Sequence, residues 1–305
     1  MSAKAPTQAE ADTKAAAPGV PLAVAGLLWM AAMLWSARAT ITGRQDAETE
    51  VISTAYALPG AVSASLVGGA SVALAVLTLV GRDGRAQGAT TRFAISTGTG
   101  LALGALGALS IITINSEGWV YAVVGGTVAA AATIGGALAG LRVPRVVAAV
   151  CWAAIAVFLV GFLLTFLQTP LFDLFGAGAT SQSQTTAASW YSFTQSVLAG
   201  LTAGVVPFVL LRRSSRRTGE QLPWPLHALA GAGPGLLLVL TEGLARTAGS
   251  RVLDLAGRVS ELDGTVQRML GGSRLNSALI ILFVGAVTAI IAVGRTLGPA
   301  PQDVA

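Results

Sequence analysis

The sequence predicts an all-α, polytopic integral membrane helical bundle of about eight transmembrane helices, N-in/C-in, with an extra amphipathic helix between the last two spans. Three observations predict it. Hydrophobic residues make up 53% of the 305 and charged residues 11%, against roughly 25% charge in a soluble chain. Apolar stretches close to the roughly 20 residues that cross a bilayer, seven without charge and one with a single carboxylate near its end, recur eight times. The cations collect in the connections between them, as they do at the flanks of membrane spans. The composition excludes a cytosolic enzyme, a disordered chain and a secreted disulfide scaffold. A membrane β-barrel fails because the runs are rich in Ala, Leu and Gly and show no alternation.

Residues 1–18 read as a disordered polar tail, 19–296 as the bundle and 297–305 as a C-terminal tail. The first span covers about 20–36. Lysines before it and Ala37-Arg38-Ala39 after it also fit a secretory leader, so a retained span and a cleaved one both stand, with the same later topology. The second span covers 57–80. The third (93–114), fourth (119–141) and fifth (146–168) are joined by turns so short that they are expected to be sequential antiparallel neighbours. In the loop 169–189, Leu171, Phe172, Leu174 and Phe175 read as an interfacial cap and the Ser/Gln/Thr-rich run as a flexible tether. The sixth span covers 190–211. The seventh, 226–244, is the least hydrophobic, with His227, Gly233-Pro234-Gly235 and Glu242. Before the eighth, 275–294, the residues Val252, Leu255, Val259, Leu262, Val266 and Met269 fall at heptad a and d positions. That spacing predicts an amphipathic helix over about 250–270, which Gly257 and Gly264 weaken.

Orientation follows from counting cations in the short connections. With the N-terminus inside, twelve Lys and Arg fall on inner segments, and the first three outer loops hold only Arg38 and Arg44. The connection 246–274 would be outer yet carries five arginines. A re-entrant seventh segment, leaving seven crossings, therefore stays open beside eight.

Small residues permit close helix crossings in lipid. The steps Gly100 to Gly104, Gly136 to Gly140 and Gly200 to Gly204, with Gly68-Gly69 and Gly125-Gly126, are expected to mark crossings within the chain, a homo-oligomer through one such face being the alternative. Pro207 in the sixth span, and Gly231, Gly233, Pro234 and Gly235 in the seventh, are read as helix breaks whose freed carbonyls can meet a ligand. The polar residues Thr99, Ser110, Thr127, Thr165, Gln195 and Thr202 either line a route or bond between helices. No Asp, Glu, Lys or Arg lies in the central third of a confident span, which disfavours a multi-carboxylate proton relay. Glu242 comes closest, one turn from Arg246.

A single histidine, His227, and a single cysteine, Cys151, leave too few ligands for a His or Cys metal centre and no Ser-His-Asp apparatus. No enzyme motif is present, so no catalytic residue, metal or cofactor is expected. The leading expectation is a plasma-membrane transporter or permease-type component. It would move a neutral or amphipathic solute between broken helices six and seven, with Gln195, Thr202, Gly204, Pro207, Gly233, Pro234 and Glu242 at the site. The alternative is a scaffold that recruits a membrane or envelope protein through Val252, Leu255, Val259, Leu262, Val266 and Met269. Nucleic acid is not an expected partner, and the lipid bilayer is.

Overall fold

In hydrocarbon a backbone amide has no partner except its own helix, so long runs of Ala, Leu, Val and Gly can only coil. A computed structural model describes residues 19–42, 47–81, 88–114, 119–178, 180–219 and 222–296 of the chain. The predicted tails, the turn 115–118 and the cations Lys4, Lys14, Arg44, Arg82 and Arg85 lie outside the described residues. Within them the protein is all helical: α1 (Val20–Thr42), α2 (Ala47–Val80), α3 (Ala89–Ile112), α4 (Trp119–Ala139), α5 (Pro144–Phe166), α6 (Gln168–Leu174), α7 (Ser181–Thr218), α8 (Trp224–Thr247), α9 (Ser250–Val259) and α10 (Glu261–Gly294). Eight of these, all but α6 and α9, are long and apolar enough to cross a membrane. α8 is one unbroken helix of 24 residues, about 36 Å at 1.5 Å per residue. It is long enough to cross, which favours eight spans over the re-entrant alternative.

Spans pack as hairpins: α1 on α2, α3 on α4, α5 on α7, and α8 on α10. α2 is the hub, touching α1, α3 and α4 as well as α5, α8 and α9, and 72% of its apolar window is buried inside the protein. Leu58, Val62, Leu66 and Val67 of α2 join Met30, Val128, Cys151 and Leu237 in the main core. The small-residue steps mark crossings within the chain. Gly100 and Gly104 face Ala129, Ala132 and Gly136 of α4, while Gly200 and Gly204 face Val284, Gly285 and Thr288 of α10.

Three expectations are corrected. α4 and α5 meet only near their connection rather than lying side by side, and α5 packs on α7 and α8 instead. The residue before a proline avoids helical backbone; Val143 at φ −125°, ψ 55° precedes Pro144 and redirects the chain. The Ser/Gln/Thr-rich run of the loop 169–189, expected as a tether, is helical from Ser181, because the Thr180 hydroxyl accepts the Ser183 amide as an N-cap. The expected amphipathic helix 250–270 is divided. α9 ends at Val259, Ser260 adopts extended backbone (φ −143°, ψ 115°), and its hydroxyl accepts the Asp263 amide to start α10. Residues 261–270 are therefore the first turns of the last span. The two glycines make the elbow close: a Cβ on Gly264 would come within 2.7 Å of the Gly257 Cα.

Candidate functional site

Glu242 is 4% exposed and is the buried carboxylate among the described residues. It lies eighteen residues after Trp224 in α8, about 27 Å along the axis. Two guanidinium groups hold it. Arg246, one turn later in the same helix, donates from Nε to Oε1 at 2.8 Å, and Arg274 of α10 donates from Nε to Oε2 at 3.1 Å. Arg274 precedes the end of α10 at Gly294 by twenty residues, about 30 Å, so cation and carboxylate meet at one depth. Measured from the other end of these helices, that distance is close to the thickness of a hydrocarbon layer, roughly 30 Å. An unpaired charge there would be costly, and the triad instead carries a net single positive charge with two partly solvated arginines. Gly271 makes room for it, since a Cβ there would lie 2.9 Å from Glu242 Oε1 and 3.2 Å from Arg246 Nη2.

The triad separates two cavities. On the α9 side, α8, α9 and α10 form a half-open cavity of about 710 Å³ lined by charged and polar groups, among them Arg246, Asp254, Glu261, Gln267 and Arg268. On the other side, toward the middle of α8, lies a second cavity of about 420 Å³, bounded by α1, α2, α5, α7, α8 and α10. Its walls are mostly apolar, with Trp29, Met33, Phe158, Leu238 and Ile281, and carry Gln195, Ser196 and Thr241 as polar points. Glu242 and Arg274 line both cavities. Trp29 and Phe158 stack across α1 and α5 with ring centroids 4.8 Å apart, and the Ser196 and Ser277 hydroxyls hydrogen-bond across α7 and α10 at 3.0 Å. The Trp29 indole N–H is buried without a hydrogen-bond partner. The arrangement can hold a molecule with one polar and one apolar end. Among the described residues no group of three His, Cys, Asp or Glu gathers as a metal-binding set.

Of the residues expected at the site, the structure brings Gln195 and Glu242 to one cavity and leaves five elsewhere. Neither proline breaks its helix: α7 runs through Pro207 and α8 through Pro234. A proline costs an α-helix the bond to the carbonyl four residues back and crowds it, but the neighbouring glycines are used for packing. Gly231 and Gly235 sit against Gly285 and Leu282 of α10, and Gly233 sits against Val150 of α5. Gly204 faces Gly285 and Thr288, so α10 occupies the space in which a solute was expected between the two helices. Thr202 bonds the Leu198 carbonyl at 2.8 Å. Thr99, Ser110, Thr127 and Thr165 likewise return to carbonyls three or four residues back, so these hydroxyls serve their own helices.

Arg274, Trp29 and Gln267 were not singled out by sequence reasoning. Arg274 carried a signal, as its depth in the last span matches that of Glu242 in the preceding one. The other two show their role only once the helices are assembled. Among the heptad residues, Val252 is fully buried and Leu255 packs on the core, whereas Leu262 and Met269 are 75% and 71% exposed. Val266 is half-buried, and the Val259 side chain lies outside the described residues. The seam is therefore not one face. No family model matches the chain, and comparison with curated proteins and with solved structures finds no match.

Proposed function

We propose that this multi-pass membrane protein is a non-enzymatic permease-type protein of the plasma membrane. It takes an amphipathic solute into the cavity between α1, α2, α5, α7, α8 and α10. The observation that carries the reading is the pair of cavities meeting at Glu242 and Arg274: a charged chamber above, an apolar one below, and an ion triad between them. With the arginine-rich ends inside, the charged chamber opens to the outside and the apolar one lies in the outer half of the bilayer. The site differs from the expected α7–α8 interface by including α1 and α2, and so draws on both halves of the chain.

Single cysteines at Gln195 and Ser277, placed in a Cys151→Ala background, test the reading with a membrane-impermeant thiol reagent. Labelling from the outside of cells and also from inverted vesicles is the expected result. Labelling from one face only, or at neither site while a cysteine at Leu262 reacts, would overturn it.

A second reading, recruitment of a membrane or envelope partner, is supported by the exposure of Leu262 and Met269 on the first turns of α10. It no longer draws on Val252 or Leu255. Replacing Leu262 and Met269 together by Glu should release a co-purifying protein, and unchanged partners would count against it.

A further inference from the structure

From the geometry of the charged chamber we infer its ligand class: an amphiphile with a single acidic group, a phosphodiester or a carboxylate, seated on the Arg246–Arg274 pair with its chain in the apolar cavity below. The inference rests on the permease reading for the direction of traffic but not for the site itself. Each guanidinium donates its Nε–H to Glu242, and a guanidinium has five N–H donors in a planar fork. The terminal nitrogens of both thus remain for a second acceptor, and planar, charge-assisted recognition of an oxyanion is what such groups do best. One carboxylate between two guanidiniums leaves the floor of the chamber one positive charge in excess.

Gln267, also lining this chamber, is 6% exposed, and neither its Oε1 nor its Nε2 has a hydrogen-bond partner. A buried amide with both ends unsatisfied is costly, and a headgroup offering both a donor and an acceptor would relieve it. The outer part of the chamber has the opposite preference. Asp254 and Glu261 line it beside Arg268, so a second negative charge on the ligand is opposed and a neutral or cationic remainder is accepted. The depth agrees: the triad stands where helix lengths put the edge of the hydrocarbon, the level at which a lipid changes from chain to headgroup. Glu242 and Arg274 face both chambers, so one molecule can reach from charged to apolar space past a shared wall.

The test uses the full chain in dodecyl maltoside. Native mass spectrometry titrates lauroyl lysophosphatidylethanolamine against monolauroylglycerol, which has the same chain and no acid. One lysophospholipid adduct per chain is expected, with Arg274→Gln weakening it roughly tenfold or more, as the loss of a charge-assisted bond does. Gln267→Leu keeps every charge and nearly the volume, and is expected to weaken the same adduct; it carries the expectation alone should Arg274→Gln lose helix content. Excess glycerophosphoethanolamine, the headgroup without a chain, separates the sources: no displacement marks a lipid, and displacement at matching concentration marks a free phosphodiester, both upholding the acid site. Equal binding of the two lauroyl compounds, or adducts unchanged in folded variants, would overturn it. Two-sided cysteine access without a headgroup preference would overturn this inference and leave the permease reading. An Arg274-dependent adduct with access from one face only would do the reverse.

Discussion

Glu242 sits where a lone carboxylate would be expelled, and two arginines make its burial tolerable. The pair within α8 is a one-turn contact of the kind worth a few tenths of a kcal/mol on an exposed helix. The link to Arg274 ties α8 to α10, and its carboxylate end is buried. Removing one partner from a buried ion pair costs about 3–5 kcal/mol, but both arginines are more than a third exposed, so solvent reduces the figure. We expect Glu242→Gln to lower stability by about 1–2 kcal/mol and Arg274→Gln by less. The double variant should fall short of the sum of the two, which thermal unfolding in detergent of all four proteins would show. Simple additivity would mean that the contact between α8 and α10 contributes nothing. At this scale the sequence was legible in part. Glu242 and its neighbour Arg246 stand out as charges beside a span, whereas five of the six polar residues within spans spend their hydroxyls on their own helices. Whether a threonine faces a cavity or its own preceding turn depends on a rotamer, and no spacing rule reports it.

At the scale of elements, glycine decides which helices touch. A Cβ on Gly135 of α4 would collide with the Leu66 carbonyl of α2, whereas one on Gly126 of the same helix would meet nothing within 4 Å. Gly135→Ala should therefore destabilise by about 1–3 kcal/mol, the usual cost of overpacking. Gly126→Ala should be neutral or slightly stabilising, since alanine is the better helix former. Melting temperatures of the two variants, measured side by side, check the contrast. The elbow between α9 and α10 supplies a second test. Ser260→Ala removes the N-cap of α10 at a cost of about 1 kcal/mol, and faster proteolysis between 255 and 265 is the expected sign. Equal cleavage rates would mean that the close approach of Gly257 and Gly264 is enough to hold the elbow. The glycine steps themselves could be read from the sequence as crossings within the chain. The separate reading of Gly231, Gly233, Pro234 and Gly235 as a helix break failed because flanking Gly and Pro look alike whether a helix opens or is merely packed tightly. The heptad seam over 252–269 failed for a related reason: a serine with cap chemistry interrupts it, and local capping prevailed over periodicity.

For the whole molecule, composition alone fixed the class, since a chain with so few charges has no other way to satisfy eight apolar helices. Eight crossings would place both ends of the chain on the same side, and the arginine count predicts the inner one. Reporter tags on the two termini of the full chain should both be shielded from protease in intact cells and both be cut in inverted vesicles; opposite behaviour of the two tags would require an odd number of crossings. What the sequence did not disclose is how the hairpins assemble. The pairing of α1 with α2 and of α3 with α4 follows from short turns, but the pairing of α5 with α7 and of α8 with α10 across the intervening α6 and α9, the position of α10 between α7 and α8, and the departure of α5 from α4 depend on shapes that appear only when faces meet.

The enclosure of α2 has a mechanical consequence. A helix gripped by six others cannot slide without disturbing all of them, so it behaves as an axle. On the permease reading, admitting a solute is expected to swing the outlying members α7 and α10 about that fixed line, a doorway that opens sideways, toward the surrounding lipid, before it opens along the bundle axis.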